Sequence, residues 1–215
     1  MTQITKSVFD EIIASVEQPT CEQREIDLPK DMLIKKASSM AKRGYRFNEE
    51  SLEALRLYMS GYGLFVRGSV GTGKSLFFKL LRNHNGDPVK VFSMHNIRGR
   101  TDVEIRELMD HLDRYEVLLD DIGAEPTFSN FGVKSDILVY MVERRMESRM
   151  RTHFTTNLTT QEIYDRYGDR LIDRITEMCR SVEFGGESRR SPKANAEALV
   201  ELNRNMPFLQ KTEVA

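Results

Sequence analysis

The chain has 215 residues, 40% hydrophobic and 30% charged, enough for one α/β domain with a proper core and a small appendage. Its 32 Lys and Arg balance 33 Asp and Glu, so no global basic charge advertises a nucleic-acid partner and any such contact must be local. Two cysteines, Cys21 and Cys179, exclude a disulfide framework and a cysteine-built metal pair. With a polar start and no long apolar run, the expectation is a cytoplasmic protein with no membrane partner.

Ile4, Val8, Phe9, Ile12, Ile13 and Val16 recur at helical spacing, predicting a short amphipathic helix over 4–16 that either packs back on the main body or docks in a partner's groove. Residues 18–30, with Pro19 and Pro29 and no periodicity, read as a linker. Met32, Leu33, Ala37, Met40 and Ala41 suggest a second helix ending near Gly44. A third runs from an Asn48 cap through Leu52, Leu55 and Tyr58 to Gly61.

Leu64-Phe65-Val66 is a short apolar run suited to a buried strand, and Leu76, Phe77, Leu80 and Leu81 follow at helical spacing. Between them, Gly68-Ser69-Val70-Gly71-Thr72-Gly73-Lys74-Ser75 fits the phosphate-loop pattern G-x-x-x-x-G-K-[ST] at every fixed position. The glycines let successive N–H groups turn inward on phosphate oxygens, and the helix start adds its positive end. Lys74 is placed to reach the β- and γ-phosphates of a nucleotide, and the Ser75 hydroxyl to ligate Mg²⁺. The competing explanation is a glycine-rich turn with a chance lysine.

A turn cluster at 83–88 precedes a strand candidate over Val89–Met94, and Asn96-Ile97-Arg98-Gly99-Arg100 reads as a loop. Arg98 and Arg100 flank Gly99 on a backbone able to follow the phosphates of a single strand; a merely solvated loop is the alternative. After a helix through Val103, Ile105, Leu108, Met109 and Leu112, the run Glu116-Val117-Leu118-Leu119-Asp120-Asp121-Ile122-Gly123 is a strand whose acids emerge at its carboxyl end. There Asp120 can hold the Mg²⁺ water shell and Asp121 can polarise an attacking water.

Ile137, Leu138, Met141, Val142 and Met146 mark the next helix, with Glu143, Arg144, Arg145 and Arg149 read as its solvated face. Thr152 to Asn157 is a β-prone run that puts the Asn157 amide at a strand end, to orient water near the γ-phosphate or simply to make a turn. A helix over about 160–167 comes before Gly168-Asp169-Arg170-Leu171-Ile172-Asp173-Arg174-Ile175. Cys179 to Phe184 is the last strand, and 191–215 keeps only weak helical periodicity.

The strings Gly68 to Ser75, Leu119-Asp120-Asp121-Ile122-Gly123-Ala124-Glu125, Phe154-Thr155-Thr156-Asn157, Arg170 to Ile175 and Gly186-Glu187-Ser188-Arg189-Arg190 together resemble the replicative-helicase loaders of the DnaC/DnaI type, within the AAA+ ATPases. The resemblance covers about residues 50–190. It implies a P-loop NTPase fold of class α/β, with a parallel five-stranded sheet flanked by helices; this chain departs from the family in its short helical N-terminal extension and in having only about 25 residues after Arg190, too few for a full C-terminal lid. The division expected is a helical extension and linker over 1–45, a candidate for partner docking, an ATPase domain over 46–190 and a tail over 191–215.

By the same resemblance Gly68–Ser75 is Walker A, Asp120 is Walker B and Asp121 stands where many AAA+ proteins have glutamate, compatible with slow hydrolysis. Asn157 matches sensor 1, Arg174 the arginine finger with Arg170 one turn earlier, and Arg190 the sensor 2 arginine. The cofactors implied are ATP and Mg²⁺, and the partners a replicative helicase and single-stranded DNA. A finger acts on a neighbour's γ-phosphate, so self-association is also implied. Ordinary pairing of Arg170 and Arg174 with nearby acids is the alternative. Transposition-helper ATPases assembling on duplex DNA share most of these motifs and stand as the alternative function.

Overall fold

The structure, a computed structural model, describes residues 30–83, 85–125, 128–130, 133–135, 137–186 and 188. The expected helix over 4–16, most of the linker, Arg189, Arg190 and the tail lie outside these residues. The first described elements are two helices, α1 (Lys30–Lys42) and α2 (Glu49–Met59). Asn48 caps α2 by accepting from the Ser51 N–H at 3.1 Å, while the Ser51 hydroxyl accepts from the Asn48 N–H at 2.9 Å, so two otherwise orphaned donors are satisfied.

Strand β1 (Gly63–Arg67) leads through the glycine loop into α3 (Lys74–Leu80), then β2 (Lys90–Ser93), α4 (Asp102–Leu112) and β3 (Val117–Ile122). A hairpin of β4 (Phe128–Asn130) and β5 (Val133–Ser135) follows, then α5 (Ile137–Ser148), β6 (Thr152–Thr156), α6 (Thr160–Met178) and β7 (Cys179–Glu183). The five main strands form one parallel sheet in the order β2-β3-β6-β1-β7, the α/β architecture expected.

Alternation along the strands feeds two cores, one on each face of the sheet. Leu64, Val66, Leu118 and Val182 join Phe77 and Phe78 of α3 and Leu55 of α2 in one cluster. Val117, Leu119 and Phe154 join Met109 of α4, Met141 of α5 and Leu171 and Ile175 of α6 in the other. Ala37 and Met40 of α1, with Tyr45 and Phe47 after it, belong to the first cluster, so α1 is packed on the body.

Three expectations need correction. Ser93 ends β2 and Met94–Ile97 coils into a 3₁₀ turn, because buried Met94 and Ile97 must reach the second core; the loop of residues 96–100 therefore begins inside a helical turn. The helix expected to stop near Tyr167 does stop at Gly168, whose φ of 74° and ψ of 179° only glycine adopts without strain; what the expectation lacked is a second helical stretch running on to Met178, so that α6 is two helices joined across the break. Downstream, Leu171 and Ile175 anchor the continued helix in the core, which restores the helical path after the break.

The third concerns Arg145, which is fully buried and not part of a solvated face. Its guanidinium donates to the Leu112 and Tyr115 carbonyls at 2.8 Å each and to the Thr152 hydroxyl at 2.8 Å, with the Arg151 carbonyl at 3.3 Å. It thereby caps the carbonyl end of α4 and ties α4, α5 and β6 together. Arg144 does sit at the surface, bridging Asp110 at 2.6 Å and Asp113 at 2.7 Å.

At the amino ends of the strands lies a second buried polar network. The Leu64 N–H donates to His153 Nδ1 at 3.0 Å, so the neutral ring carries its proton on Nε2 and gives it to Glu116 at 2.8 Å. Burial lowers the His153 pKa and keeps the ring neutral. Arg151 also donates to Glu116, at 2.8 Å, and to the Tyr58 carbonyl at 2.9 Å.

For Glu116, burial opposes the charge, but the hydrogen bonds from His153 and Arg151 outweigh it and hold the carboxyl at about 2. Its folded pKa lies below its ordinary value, so the stabilisation is complete above about pH 4.5 and is lost as pH falls towards 2. Urea unfolding across that window should show a loss on the order of 3 kcal/mol in the native protein that is missing in Glu116→Gln. Equal pH slopes would show that the network is not what holds Glu116 ionised.

Candidate nucleotide site

The phosphate loop runs from the carboxyl end of β1 into α3, and its glycines are sterically required. Gly68, with φ of 144°, lies so close to the Phe184 carbonyl that a Cβ would collide with it. Gly71, with φ of 89°, packs against Ser188 in the same way, and Gly73, with φ of 95°, opens α3. Thr72 fastens the loop on itself by donating its hydroxyl to the Ser69 carbonyl at 3.0 Å.

Lys74 folds back under this loop, nearly buried at 5% exposure. Its ammonium donates to the carbonyls of Gly68 at 2.6 Å and Ser69 at 2.9 Å, and to Asn157 Oδ1 at 2.8 Å. The other end of the Asn157 amide donates to Asp121 Oδ1 at 3.1 Å. One asparagine at the end of β6 therefore joins the lysine of the loop to the second acid of β3.

The first acid, Asp120, is buried and receives the Ser75 hydroxyl at 2.8 Å and the Thr155 hydroxyl at 2.6 Å on Oδ1. Thr155 also accepts the Asp121 N–H at 2.9 Å. Asp121 itself has φ of 60°, a left-handed conformation that aspartate tolerates better than most residues and that costs of order 1 kcal/mol or more. The turn aims Asp120 at Ser75 and Asp121 at Asn157, which consecutive residues of an unbroken strand, pointing to opposite faces, could not do.

These groups border a pocket of about 290 Å³ lined by Gly71, Gly73, Lys74, Ser75, Asp121 and Asn157, and also by Val70, Leu76 and the segment Gly44–Arg46. The donor set fits a nucleotide carrying Mg²⁺. A glycine backbone that admits no Cβ and a lysine suit polyphosphate, and a serine hydroxyl beside a buried carboxylate suits a hard cation. Among the described residues there is no cluster of three or more His, Cys, Asp or Glu able to hold a metal by themselves.

No protein-family model matches the chain, and no curated protein matches it in sequence. Among solved structures it matches the crystal structure of the DnaC helicase loader, with a TM-score of 0.50 over 70% of this chain and 99% of that one, at 17% identity. The chain shares the fold of that loader. At that identity the likeness is one of fold, and it agrees with the parallel sheet whose β1 and β3 end in the phosphate loop and the acid pair.

In this fold the sites read from the sequence separate into two groups. Lys74, Asn157 and Asp121 are joined by hydrogen bonds, as are Ser75 and Asp120, and Thr155 links the two sets. Arg170 and Arg174 are on the exposed surface of α6, outside the pocket lining. Arg170 pairs with Glu143 of α5, and Arg174 with Glu177 at 3.3 Å.

Several residues of the site were not singled out in the sequence. Thr155 shares a strand face with Asn157 by the two-residue alternation of β6, a signal that could have found it. Tyr45 and Arg46 reach the pocket only because Tyr45 stacks edge-on against Phe47 and Phe77, which no local pattern reveals.

Proposed function

We propose that the chain is an ATP-hydrolysing AAA+ switch that loads a replicative DNA helicase onto single-stranded DNA as a nucleotide-controlled oligomer in the cytoplasm. The observation that carries the ATPase part is the Asn157 amide, bonded at once to Lys74 and Asp121. A strand-end amide that touches both the phosphate-binding cation and the acid can report the state of the nucleotide to the sheet. A simple turn asparagine has no need of either contact.

In this reading Gly68–Ser75 cradle the phosphates of ATP, Lys74 neutralises the β/γ charge, and Ser75 with Asp120 holds Mg²⁺. The ion, when bound, supplies neutralisation of the charge on the transferring phosphate. Asp121 accepts the proton of the attacking water while Asn157 orients that water. Arg174, with Arg170 beside it, serves a neighbouring subunit's site, and Arg190 completes the pocket as sensor 2. Residues 46–190 form the ATPase domain and 191–215 a tail. Partner docking is assigned to the extension over 1–45, whose described part is anchored on the body by Ala37 and Met40.

The loader function rests on the fold shared with DnaC, whose structure is that of a helicase loader. No helix among the described residues is long and apolar enough to cross a membrane. Retrieval of the tagged protein from its native host with ATP present should recover a replicative helicase; recovery of a transposase would overturn the assignment.

DNA contact is placed at the loop after the 3₁₀ turn. Arg100 donates from Nε to the Asn96 carbonyl at 2.9 Å, which closes the loop around Gly99 with Arg98 at its tip. Replacing Arg98 and Arg100 together by alanine should weaken single-strand binding and flatten its salt dependence by about two phosphate contacts' worth, a change of roughly 1.4 in the log–log slope. An unchanged slope would move the contact elsewhere.

A further inference from the structure

Glu125 lies three residues beyond the end of β3 and is only 5% exposed. A carboxylate so placed needs partners, and it finds them in two directions. Its Oε2 accepts the Gly123 N–H at 2.9 Å, and its Oε1 meets the Tyr167 hydroxyl, with Arg166 Nη2 at 3.6 Å. The Arg166 guanidinium also donates to the Gly123 carbonyl at 2.7 Å and to the Glu125 carbonyl at 2.6 Å.

These bonds end on Gly123, inside the turn that carries Asp121, or on Glu125 directly after it. That turn is closed by the Ala124 N–H on the Asp121 carbonyl at 3.1 Å, and it holds Asp121 at its left-handed φ of 60°. Its other side rests on the residue after Asn157: a Cβ on Gly123 would come within 2.5 Å of Leu158. Arg166 and Tyr167 are the last residues of α6 before the break at Gly168, and Arg170 and Arg174 follow it.

We propose that Glu125 is a positioning residue: clamped by Arg166 and Tyr167, it fixes the turn that sets Asp121 against Asn157, so the amino-terminal half of α6 governs the acid's placement. The Gly168 break lets this half stay latched to its own site while the half after it, anchored by Leu171 and Ile175, presents Arg170 and Arg174 at the surface. The kinetic consequence rests on the ATPase reading; the structural one does not.

Glu125→Ala should lower kcat for ATP by about 10- to 100-fold while KM stays within about threefold, since a small displacement of a reacting group costs turnover rather than binding. Glu125→Gln keeps an acceptor for the Gly123 N–H and should recover most of that loss. A kcat within about twofold of wild type, a loss carried by KM, or no recovery in Glu125→Gln would overturn the proposal. Should Glu125→Ala not fold, Tyr167→Phe removes one latch hydroxyl and should lower kcat about threefold to tenfold at constant KM, an unchanged kcat overturning it.

If the native protein binds ATP without turnover, the ATPase reading has failed, and hydrogen exchange decides the latch. Loss of the Glu125 or Tyr167 group should speed exchange of the Gly123 and Ala124 amides by about fivefold to tenfold, with residues 74–80 unchanged. Exchange at wild-type rates would overturn it.

Discussion

Arg174→Ala is expected to lower ATP turnover of the assembled protein by about 10³- to 10⁵-fold while leaving the monomer folded and its ATP affinity intact. Arg174 is 43% exposed in its side chain and bonded only weakly to Glu177, at 3.3 Å within its own helix, so its removal disturbs no core contact. An exposed pair of this kind contributes about 1 kcal/mol or less to stability. A guanidinium delivered to a neighbour's transferring phosphate contributes far more to rate, so the two roles separate by orders of magnitude. Mixing Arg174→Ala with Lys74→Ala, which lacks the cation bonded to Asn157, should restore part of the activity by pairing an intact loop with an intact arginine across one interface. Normal turnover by Arg174→Ala under assembling conditions, or its unfolding, would make the arginine structural.

Asp121→Asn should retain ATP binding and lose about 10²- to 10⁴-fold in turnover, because an amide cannot take a proton from water. The substitution suits the site well. Asparagine is the other side chain that tolerates the φ of 60° found here, and its oxygen can still accept from Asn157 Nδ2 as Asp121 does at 3.1 Å. The backbone and the amide link therefore survive, and only the base is lost. Nucleotide affinity by calorimetry beside single-turnover hydrolysis checks this. A parallel fall in both would place Asp121 in metal holding or in the fold of the turn.

What the sequence disclosed follows from which interactions are local. The phosphate loop is legible because its glycines and lysine act within eight consecutive residues, and the acid pair because a buried parallel strand must end in its ligand-binding edge. All five sheet strands were readable for the same reason, as short apolar or β-branched runs between turns. The order β2-β3-β6-β1-β7 was not legible, since pairing depends on residues far apart in the chain.

Arg145 was misread because helical periodicity counts charge as exposure. Its burial is made possible by the open carbonyls of Leu112 and Tyr115 in a different element. Glu125 is similar. Its sequence neighbours give no hint that Arg166 and Tyr167, some forty positions later, close over it. The hairpin of β4 and β5 lies between two runs that were readable, in a stretch with no strong alternation to announce it.

A loader of this kind responds to single-stranded DNA, and phosphate release by the purified protein with no DNA, with single-stranded DNA and with duplex of the same length tests this most directly. Single strands should change turnover, duplex should not, and the response should disappear with Arg174→Ala. A response to duplex alone, accompanied by filament growth along it, would contradict the loader and identify a transposition helper.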